Sequence, residues 1–153
     1  MDNSKKFLGR GWSFPPTFMH SAGRGEVSMV ANEVDIRQSL EILLNTSLGE
    51  RVMMPEYGCD IRSHLFESIS TTKNHFLKES IRVAILTYEP RIILNEVVLD
   101  NRDYLEGIVK VRIDYTIESS NTRFNLVYPF YREEGTNIPR LYREGIQQTS
   151  LEL

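Results

Sequence analysis

Carboxylates are the side chains in this sequence whose type and spacing could support catalysis. Glycoside hydrolysis needs two carboxyl groups about 5–10 Å apart across a sugar-binding cleft. Glu50, Glu56, Asp60 and Glu67 lie close together along the chain. A sequence with 21 acidic residues offers such groupings by chance. Solvated or ion-paired carboxylates are therefore the favoured interpretation, and we predict no catalytic residue.

Histidine and cysteine provide no stronger candidates for chemistry. His20, His64 and His75 are scattered and lack the spacing of known metal-binding motifs. We therefore predict no metal site and no cofactor. Cys59 is the single cysteine, which excludes an intrachain disulfide and suits a reducing compartment during synthesis. We expect Cys59 to be a small packed side chain rather than a nucleophile, because no His and Asn/Asp pattern accompanies it.

The segment Glu89–Pro90–Arg91 combines two opposite charges with a rigid backbone. Residues two apart in an extended segment project to the same side, so Glu89 and Arg91 can act as one pair. The pair could bind a complementary pair on another chain through charge-assisted bonds. It could equally be internal, with Arg91 bonded to helix-terminal carbonyls and Glu89 to nearby N–H groups. Local physics leaves both alternatives open.

Residues 1–31 have the character of an arm that needs a surface to cover it. Four glycines and Pro15–Pro16 disfavour regular structure and favour an extended path. Trp12, Phe14 and Phe18 are too apolar for a solvated linker. We expect the arm to pack on its own domain or on a partner, and we select Trp12, Phe14, Pro15 and Pro16 as interaction residues.

Helical periodicity follows the arm. Residues 33–47 are predicted to form a helix with Asn32 as N-cap, Asp35 in a capping-box position and Gly49 as its left-handed end. A connector over 50–60 and a short helix over 61–68 come next. A longer helix then begins at Ser70 or Thr71 and ends at about Tyr88, before Pro90. The apolar stripes predicted for the two longer helices are Ile36, Leu40, Leu43 and Leu44, and Leu77, Ile81, Ala84 or Ile85, and Tyr88, with Phe76 and Val83 beside them.

The period changes to two in the second half of the chain. Residues 92–99 and 107–118 are predicted strands, residues 119–121 a turn, and residues 124–128 a third strand ending near Pro129. The fold class is therefore α+β: an N-terminal arm and two to three helices, followed by a small antiparallel sheet of three to four strands. We divide the chain into the arm (1–31), one core domain (32–131) and a C-terminal extension (132–153).

Composition excludes several classes of protein. The net charge of −3 gives no basic excess, so we expect no nucleic-acid partner. No apolar run is long enough for a membrane helix, and no apolar segment follows Lys5–Lys6, so we expect neither membrane insertion nor a signal peptide. Arginine outnumbers lysine by 13 to 5, which suits protein interfaces but is equally explained by lineage bias.

Four separated motifs together resemble a known family. They are FLGRGWSFPPTF (7–18), DIRQSLEILLNTSLGERVMMPEYGCDI (35–61), LFE (65–67) and YEPRI (88–92). In this order they resemble the baseplate wedge family of contractile-tailed phages, type VI secretion baseplates and extracellular contractile injection systems. The likeness covers about residues 7–130, and residues beyond 132 depart from the shorter phage members.

The resemblance implies a structural subunit of the inner baseplate, bound to the helical core of the wedge and serving as the platform on which sheath assembly begins. Its partners would be sheath subunits and wedge proteins, in six copies around the tube. It links Glu89, Pro90 and Arg91 to assembly, and it places the protein in the cytoplasm during assembly and then in the baseplate of a cytoplasmic, anchored or released particle. The family also carries a lysozyme label, so a peptidoglycan hydrolase is the alternative, and a scaffold outside contractile systems is a third.

Overall fold

A computed structural model describes residues 8–21, 24–61 and 70–131. Its elements in chain order are β1 (Arg10–Trp12), β2 (Phe18–Ser21), β3 (Arg24–Val27), β4 (Met29–Ala31), α1 (Glu33–Asn45), α2 (Thr71–Tyr88), β5 (Ile92–Asp100), a 3-10 helix (Tyr104–Glu106), β6 (Ile108–Ile117) and β7 (Thr122–Tyr131). The described part is thus α+β, with two longer helices and small antiparallel sheets. The predicted extension over 132–153 lies outside the described residues, as does the predicted short helix apart from Ile61.

The first helix, α1, confirms the predicted apolar stripe but not the predicted ends. Asn32 stands at the N-cap position with φ 60°, and its side chain makes no capping hydrogen bond. The predicted capping-box role of Asp35 is wrong, because the Asn32 N–H donates to the Gly9 carbonyl at 3.4 Å and the Asp35 carboxylate binds Arg91. Gly49 has the predicted left-handed φ of 81°. It lies in the following turn, however, because α1 already ends at Asn45.

The second helix, α2, begins and ends as predicted. The Ser70 hydroxyl accepts a hydrogen bond from the Lys73 backbone N–H, which satisfies a donor that the first turn leaves unpaired. The helix stops at Tyr88, two residues before Pro90. Its inner face packs on the sheet, whereas the predicted flanking residue Phe76 is 64% exposed.

The main sheet has three strands in the order β5–β6–β7, all antiparallel. A bulge at Asn95 interrupts the β5–β6 register, and the Asn95 amide donates to the Thr116 hydroxyl at 2.9 Å. Asn121 forms the predicted β6–β7 turn with φ 49°. The predicted third strand is longer than expected and includes Pro129, which an edge strand tolerates.

The core lies between one face of this sheet and the two helices. Every second β6 residue from Val109 to Ile117 is buried, and the residues between them are more exposed except Asp114. This is close to the pattern of a sheet with one buried face. Residues that are almost completely inaccessible to solvent are Ile36, Leu40, Leu43, Leu44, Ile61, Ile81, Ile85, Val111, Ile113 and Ile117. The most deeply buried part of the core therefore consists mainly of β-branched Ile and Val and γ-branched Leu side chains.

The arm is more regular than its composition predicted. β1 pairs with β4, and β2 pairs with β3, both antiparallel. The expectation that Gly11 and Gly25 break regular structure is wrong, because both lie within these strands. Glycine has no side chain to pack but keeps its backbone hydrogen-bonding groups, so pairing with a partner strand is still possible.

None of the helices within the described ranges is both long and apolar enough to cross a membrane.

Candidate functional site

The Arg91 guanidinium is the centre of a cluster that joins three separate parts of the chain. Its Nε and Nη2 donate to the two Glu89 carboxylate oxygens at 2.5 and 2.6 Å. Its Nη1 donates to Asp35 Oδ2 at 2.6 Å and to the Leu8 carbonyl at 2.8 Å. We call Arg91, Glu89, Asp35 and the Leu8 carbonyl the Arg91 cluster. It connects the arm, the first turn of α1 and the α2–β5 junction.

The Arg91 guanidinium keeps its positive charge within the Arg91 cluster. The hydrogen bonds that Arg91 donates to Glu89 raise the pKa of Arg91 above its usual range, and partial burial opposes that shift. Glu89 is only 2% exposed, whereas the Arg91 and Asp35 side chains are 27% and 16% exposed. A planar guanidinium can bind one carboxylate through two parallel bonds and still donate elsewhere, which lysine cannot do.

The glycines of the arm explain how its backbone lies so close to these charges. A Cβ at Gly11 would overlap the Asp35 carboxylate, and a Cβ at Gly9 would lie 3.3 Å from Arg91 Nη1. Gly9 also has a φ of 85°, which side-chain-bearing residues rarely adopt. The two glycines therefore allow the arm to cross directly over the Arg91 cluster.

Of the two alternatives for Glu89 and Arg91, the described structure has the internal one, with different partners from those expected. The two side chains do lie on the same side and pair with each other. The pair points inward, and Arg91 binds the Leu8 carbonyl rather than a carbonyl at a helix end. Pro90 between them is exposed. Binding of this segment to another chain stays a prediction.

The arm exposes the apolar residues selected from the sequence. Trp12 is 63% exposed and Phe14 42%, and Pro15 and Pro16 are exposed as well. Phe18 in β2 is 72% exposed, although it was not among the residues selected. The Phe14 backbone N–H donates to Gln38 Oε1 at 2.9 Å, which holds this part of the arm against α1. The Phe14–Pro15 peptide bond is cis.

The loop over 46–59 packs next to the Arg91 cluster. The Tyr57 ring lies 5.0 Å from the ring of Tyr88, the residue that precedes Glu89. The Arg51 guanidinium lies 3.7 Å from the centroid of the Tyr57 ring. Burial raises the pKa of Tyr57, which the adjacent Arg51 opposes. Cys59 is 2% exposed, and burial raises the pKa of its thiol to about 12. This thiol therefore belongs to the packed core, as predicted.

The described carboxylates considered for hydrolysis do not line the cleft that the structure describes between α2 and β5. Glu50 and Glu56 are exposed on the surface loop, and Asp60 is half-buried. Glu67 and His64 lie outside the described residues. An open cleft of roughly 290 Å³ between α2 and β5 is lined by two other acidic residues, Glu79 and Glu96, among basic and apolar neighbours.

The described residues were also considered as ligands for a metal ion. Within residues 8–21, 24–61 and 70–131, no group of three or more His, Cys, Asp or Glu side chains is placed to hold a metal ion.

Comparison with known proteins decides the family. The family model for baseplate wedge protein gp25 matches residues 30–122, more than half of the chain. The chain belongs to this baseplate wedge family. The resemblance inferred from the four sequence motifs is thereby confirmed.

Individual relatives extend the comparison. The chain is 37% identical over 57 residues to baseplate wedge protein gp25 of Enterobacteria phage T4. This aligned segment covers 37% of this chain and 43% of the phage protein. A crystal structure from Geobacter sulfurreducens, provisionally named a tail lysozyme, is 42% identical with a TM-score of 0.63 and covers 71% of this chain and 100% of its own. A chain of the six-fold symmetrised anti-feeding prophage baseplate is 26% identical with a TM-score of 0.58, covering 93% and 98% respectively.

Sequence reasoning missed two members of the Arg91 cluster. Asp35 was assigned to helix capping because its position in the first turn of α1 suits that role. The Leu8 carbonyl carries no side-chain signal at all. The spacing of Gly9 and Gly11 was the available clue, since paired glycines often mark a close approach of the backbone to another group.

Proposed function

We propose that this wedge-family chain is a structural subunit of the inner baseplate of a contractile injection system, and that sheath assembly begins on it. The observation that carries the proposal is the Arg91 cluster, which holds the arm in one direction across the domain. A fixed arm presents its apolar side chains in a defined place, so less conformational entropy is lost when a partner binds.

The arm supplies the first docking surface of the proposal. Trp12 in β1 and Phe18 in β2 are large aromatic side chains held largely in solvent by short paired strands, and Phe14 between these strands is 42% exposed. Fully burying an exposed side chain of this size contributes about 1.5–3 kcal/mol. Trp12 and Phe18, which are 63% and 72% exposed, would therefore contribute more of this than Phe14. Aromatic residues of this kind dominate the binding energy of many protein interfaces. We assign this surface to the other wedge proteins.

The outer side of β7 supplies the second docking surface. Among the described strands, β7 pairs with β6 alone, so its other side keeps backbone groups available for an added strand. An extended segment of a sheath subunit could bind there by strand addition, with main-chain hydrogen bonds giving affinity. Val127 and Tyr131, exposed by 50% and 48%, would lie beside the added strand.

The proposed copy number is based on a similar chain in a symmetric baseplate. The similar chain in the anti-feeding prophage belongs to a six-fold symmetrised baseplate, and we propose six copies here. Six weak contacts arranged around one tube act together, because each contact made raises the effective concentration for the next. Modest surfaces on each copy would then suffice for a stable platform.

The experiment that tests this proposal removes apolar side chains of the arm without disturbing the folded core. Trp12→Ala and Phe18→Ala change only well-exposed side chains. The matched control is Leu105→Ala, at a residue 98% exposed in the 3-10 helix between β5 and β6. Particles produced with each variant are counted by electron microscopy as sheathed or unsheathed. We expect sheathed particles to be lost with the two arm variants and retained with the control.

Arg91→Ala should give the same loss of sheathed particles when the variant protein is folded. A folded Arg91→Ala protein that supports wild-type numbers of sheathed particles would contradict the proposal. Wild-type protein that is absent from purified baseplates would contradict it more directly.

A peptidoglycan hydrolase is the second candidate, favoured by the provisional name of the Geobacter sulfurreducens structure. It predicts that purified protein clears cell walls and that Glu50→Gln or Glu56→Gln abolishes the clearing. We expect no clearing between about pH 4 and 8, where a carboxylate pair with one raised pKa would operate. Clearing that a Glu→Gln variant removes would replace the structural proposal.

A further inference from the structure

The loop over 46–59 carries a second exposed apolar surface, at its tip. Val52 is 93% exposed and Met53 96%, with Met54 and Leu48 about half exposed beside them at 49% and 51%. We call Val52, Met53 and Met54 the apolar knob. Consecutive apolar side chains that are this exposed are unusual on a soluble surface, and they mark interaction sites when they are contiguous.

Backbone hydrogen bonds hold the loop in one shape. The Cys59 N–H donates to the Thr46 carbonyl at 2.9 Å and closes the base of the loop, and the Gly49 N–H donates to the Pro55 carbonyl at 2.7 Å. Gly58 has a φ of 123°, and a Cβ there would overlap the Thr46 carbonyl. The two sides of the loop are therefore in direct backbone contact.

This rigidity decides what can cover the knob. A loose loop can turn its apolar side chains back onto its own domain, but a loop closed by its own backbone bonds cannot do so without breaking them. Within the described residues nothing covers the knob, so we look for its cover in another molecule. Burial of Val52 and Met53 would contribute about 1.5–3 kcal/mol each. Methionine also adapts to irregular pockets because its side chain is long and unbranched.

Charges around the knob define the chemistry of the surface that receives it. Glu50 and Glu56 flank the knob in sequence and are exposed, and the Glu50 carboxylate also accepts a hydrogen bond from the Ser47 N–H at 2.9 Å. The Arg51 guanidinium is stacked on the Tyr57 ring. A pocket with an apolar floor and a rim of Lys or Arg would complement this arrangement. An anionic membrane surface would repel the same two carboxylates.

The loop that carries the knob packs next to the Arg91 cluster, the site proposed above for assembly. Tyr57 of the loop packs on Tyr88, and Glu89 of the Arg91 cluster follows directly. A partner that contacts the Arg91 end of the domain is therefore well placed to contact the knob as well.

We propose that the apolar knob inserts into an apolar pocket, rimmed by Lys or Arg, on another protein of the baseplate. This inference rests on the proposed function and adds a contact separate from the arm and from the β7 edge. The knob anchors the chain, and the flanking carboxylates orient it.

A cross-linking experiment tests the proposal directly. A photoreactive amino acid is placed at position 53, or at position 105 as an equally exposed control, and the assembled particles are irradiated. We expect position 53 to form one dominant adduct with a different baseplate protein, at an apolar segment flanked by Lys or Arg. Position 105 should not give that adduct.

Substitution gives an independent measurement. Met53→Asp should lower incorporation of the chain into baseplates at least about tenfold, since loss of only 1.4 kcal/mol of binding has that effect. Leu105→Asp should leave incorporation unchanged. Both residues are almost completely exposed, so both variants should unfold at the wild-type temperature. Glu56→Lys should weaken incorporation and make the remainder less sensitive to salt.

The remaining outcomes each overturn the proposal. An adduct with a second copy of this chain would identify a self-association surface. Binding of wild type, but not of Met53→Asp, to phosphatidylglycerol vesicles would identify a membrane surface. Wild-type incorporation of Met53→Asp would show that the knob carries no contact, and the proposed function would then stand without it. Absence of the wild-type chain from baseplates would instead remove the proposed function itself.

Discussion

Replacing Arg91 by alanine removes four hydrogen bonds at once and leaves two carboxylates without their cation. Glu89 suffers most, because it is 2% exposed and loses both bonds of its carboxylate. Breaking a buried ion pair in this way typically costs 3–5 kcal/mol. The Arg91 and Asp35 side chains are 27% and 16% exposed, so solvent partly screens the cluster. We therefore expect Arg91→Ala to lower the free energy of unfolding by about 2–4 kcal/mol.

Urea denaturation followed by far-ultraviolet circular dichroism measures this free energy. Arg37→Ala is the matched control, because Arg37 forms a 3.1 Å pair with Glu41 but is 66% exposed. It should cost no more than about 0.5 kcal/mol. The double variant Glu89→Gln/Arg91→Ala should be more stable than Arg91→Ala by about 1–2 kcal/mol, since the more deeply buried of the two unpaired charges is then removed.

Two results would refute the reasoning about the Arg91 cluster. One is an Arg91→Ala protein within about 1 kcal/mol of wild type, which would place Arg91 among ordinary surface ion pairs. The other is a double variant no more stable than the single one, which would show that the unpaired Glu89 charge is not the source of the loss.

Further expectations concern the loop, the thiol and the helix ends. Gly58→Ala should destabilise the protein by at least about 2 kcal/mol in thermal denaturation, because φ is 123° and a Cβ would overlap the backbone. Gly25→Ala should be near neutral in the same measurement, because no atom lies within 4 Å of the added Cβ. Cys59, with a pKa of about 12, should react with iodoacetamide at pH 8 only as fast as the protein opens, and rapid labelling under native conditions would contradict this. Ser70→Ala should cost about 1 kcal/mol, whereas Asn32→Gly should be neutral or stabilising, since Asn32 makes no capping bond and has φ 60°.

Local periodicity was sufficient to predict the main elements. The stripe of α1 and the alternation of β6 place apolar side chains on one face each, and both faces are buried as predicted. Ser70 and Pro90 define the ends of α2 because their effects act within a few residues. Regular elements of this kind are encoded by neighbours in sequence, so no distant contact is needed to infer them.

The arm shows where local reasoning stops. Gly11 and Gly25 predicted irregular structure, yet both lie in paired strands. Pairing depends on which segment lies opposite, a contact that no local propensity describes. The same limit applied to Asn32, which occupies the predicted N-cap position without forming the predicted bond.

The sequence by itself determined the α+β class, the boundaries of α2 and the buried face of β6. It also selected Glu89, Pro90 and Arg91 as candidate interaction residues. Only the tertiary structure decided what those residues do. Arg91 reaches Asp35, 56 positions away, and the Leu8 carbonyl, 83 positions away. The direction of an ion pair, inward or outward, depends on which distant groups can satisfy it, because a buried charge is stable only with its partners in place. The exposure of the apolar knob is likewise a tertiary property, since Val52 and Met53 have the composition of a core segment and only the closed loop keeps them in solvent.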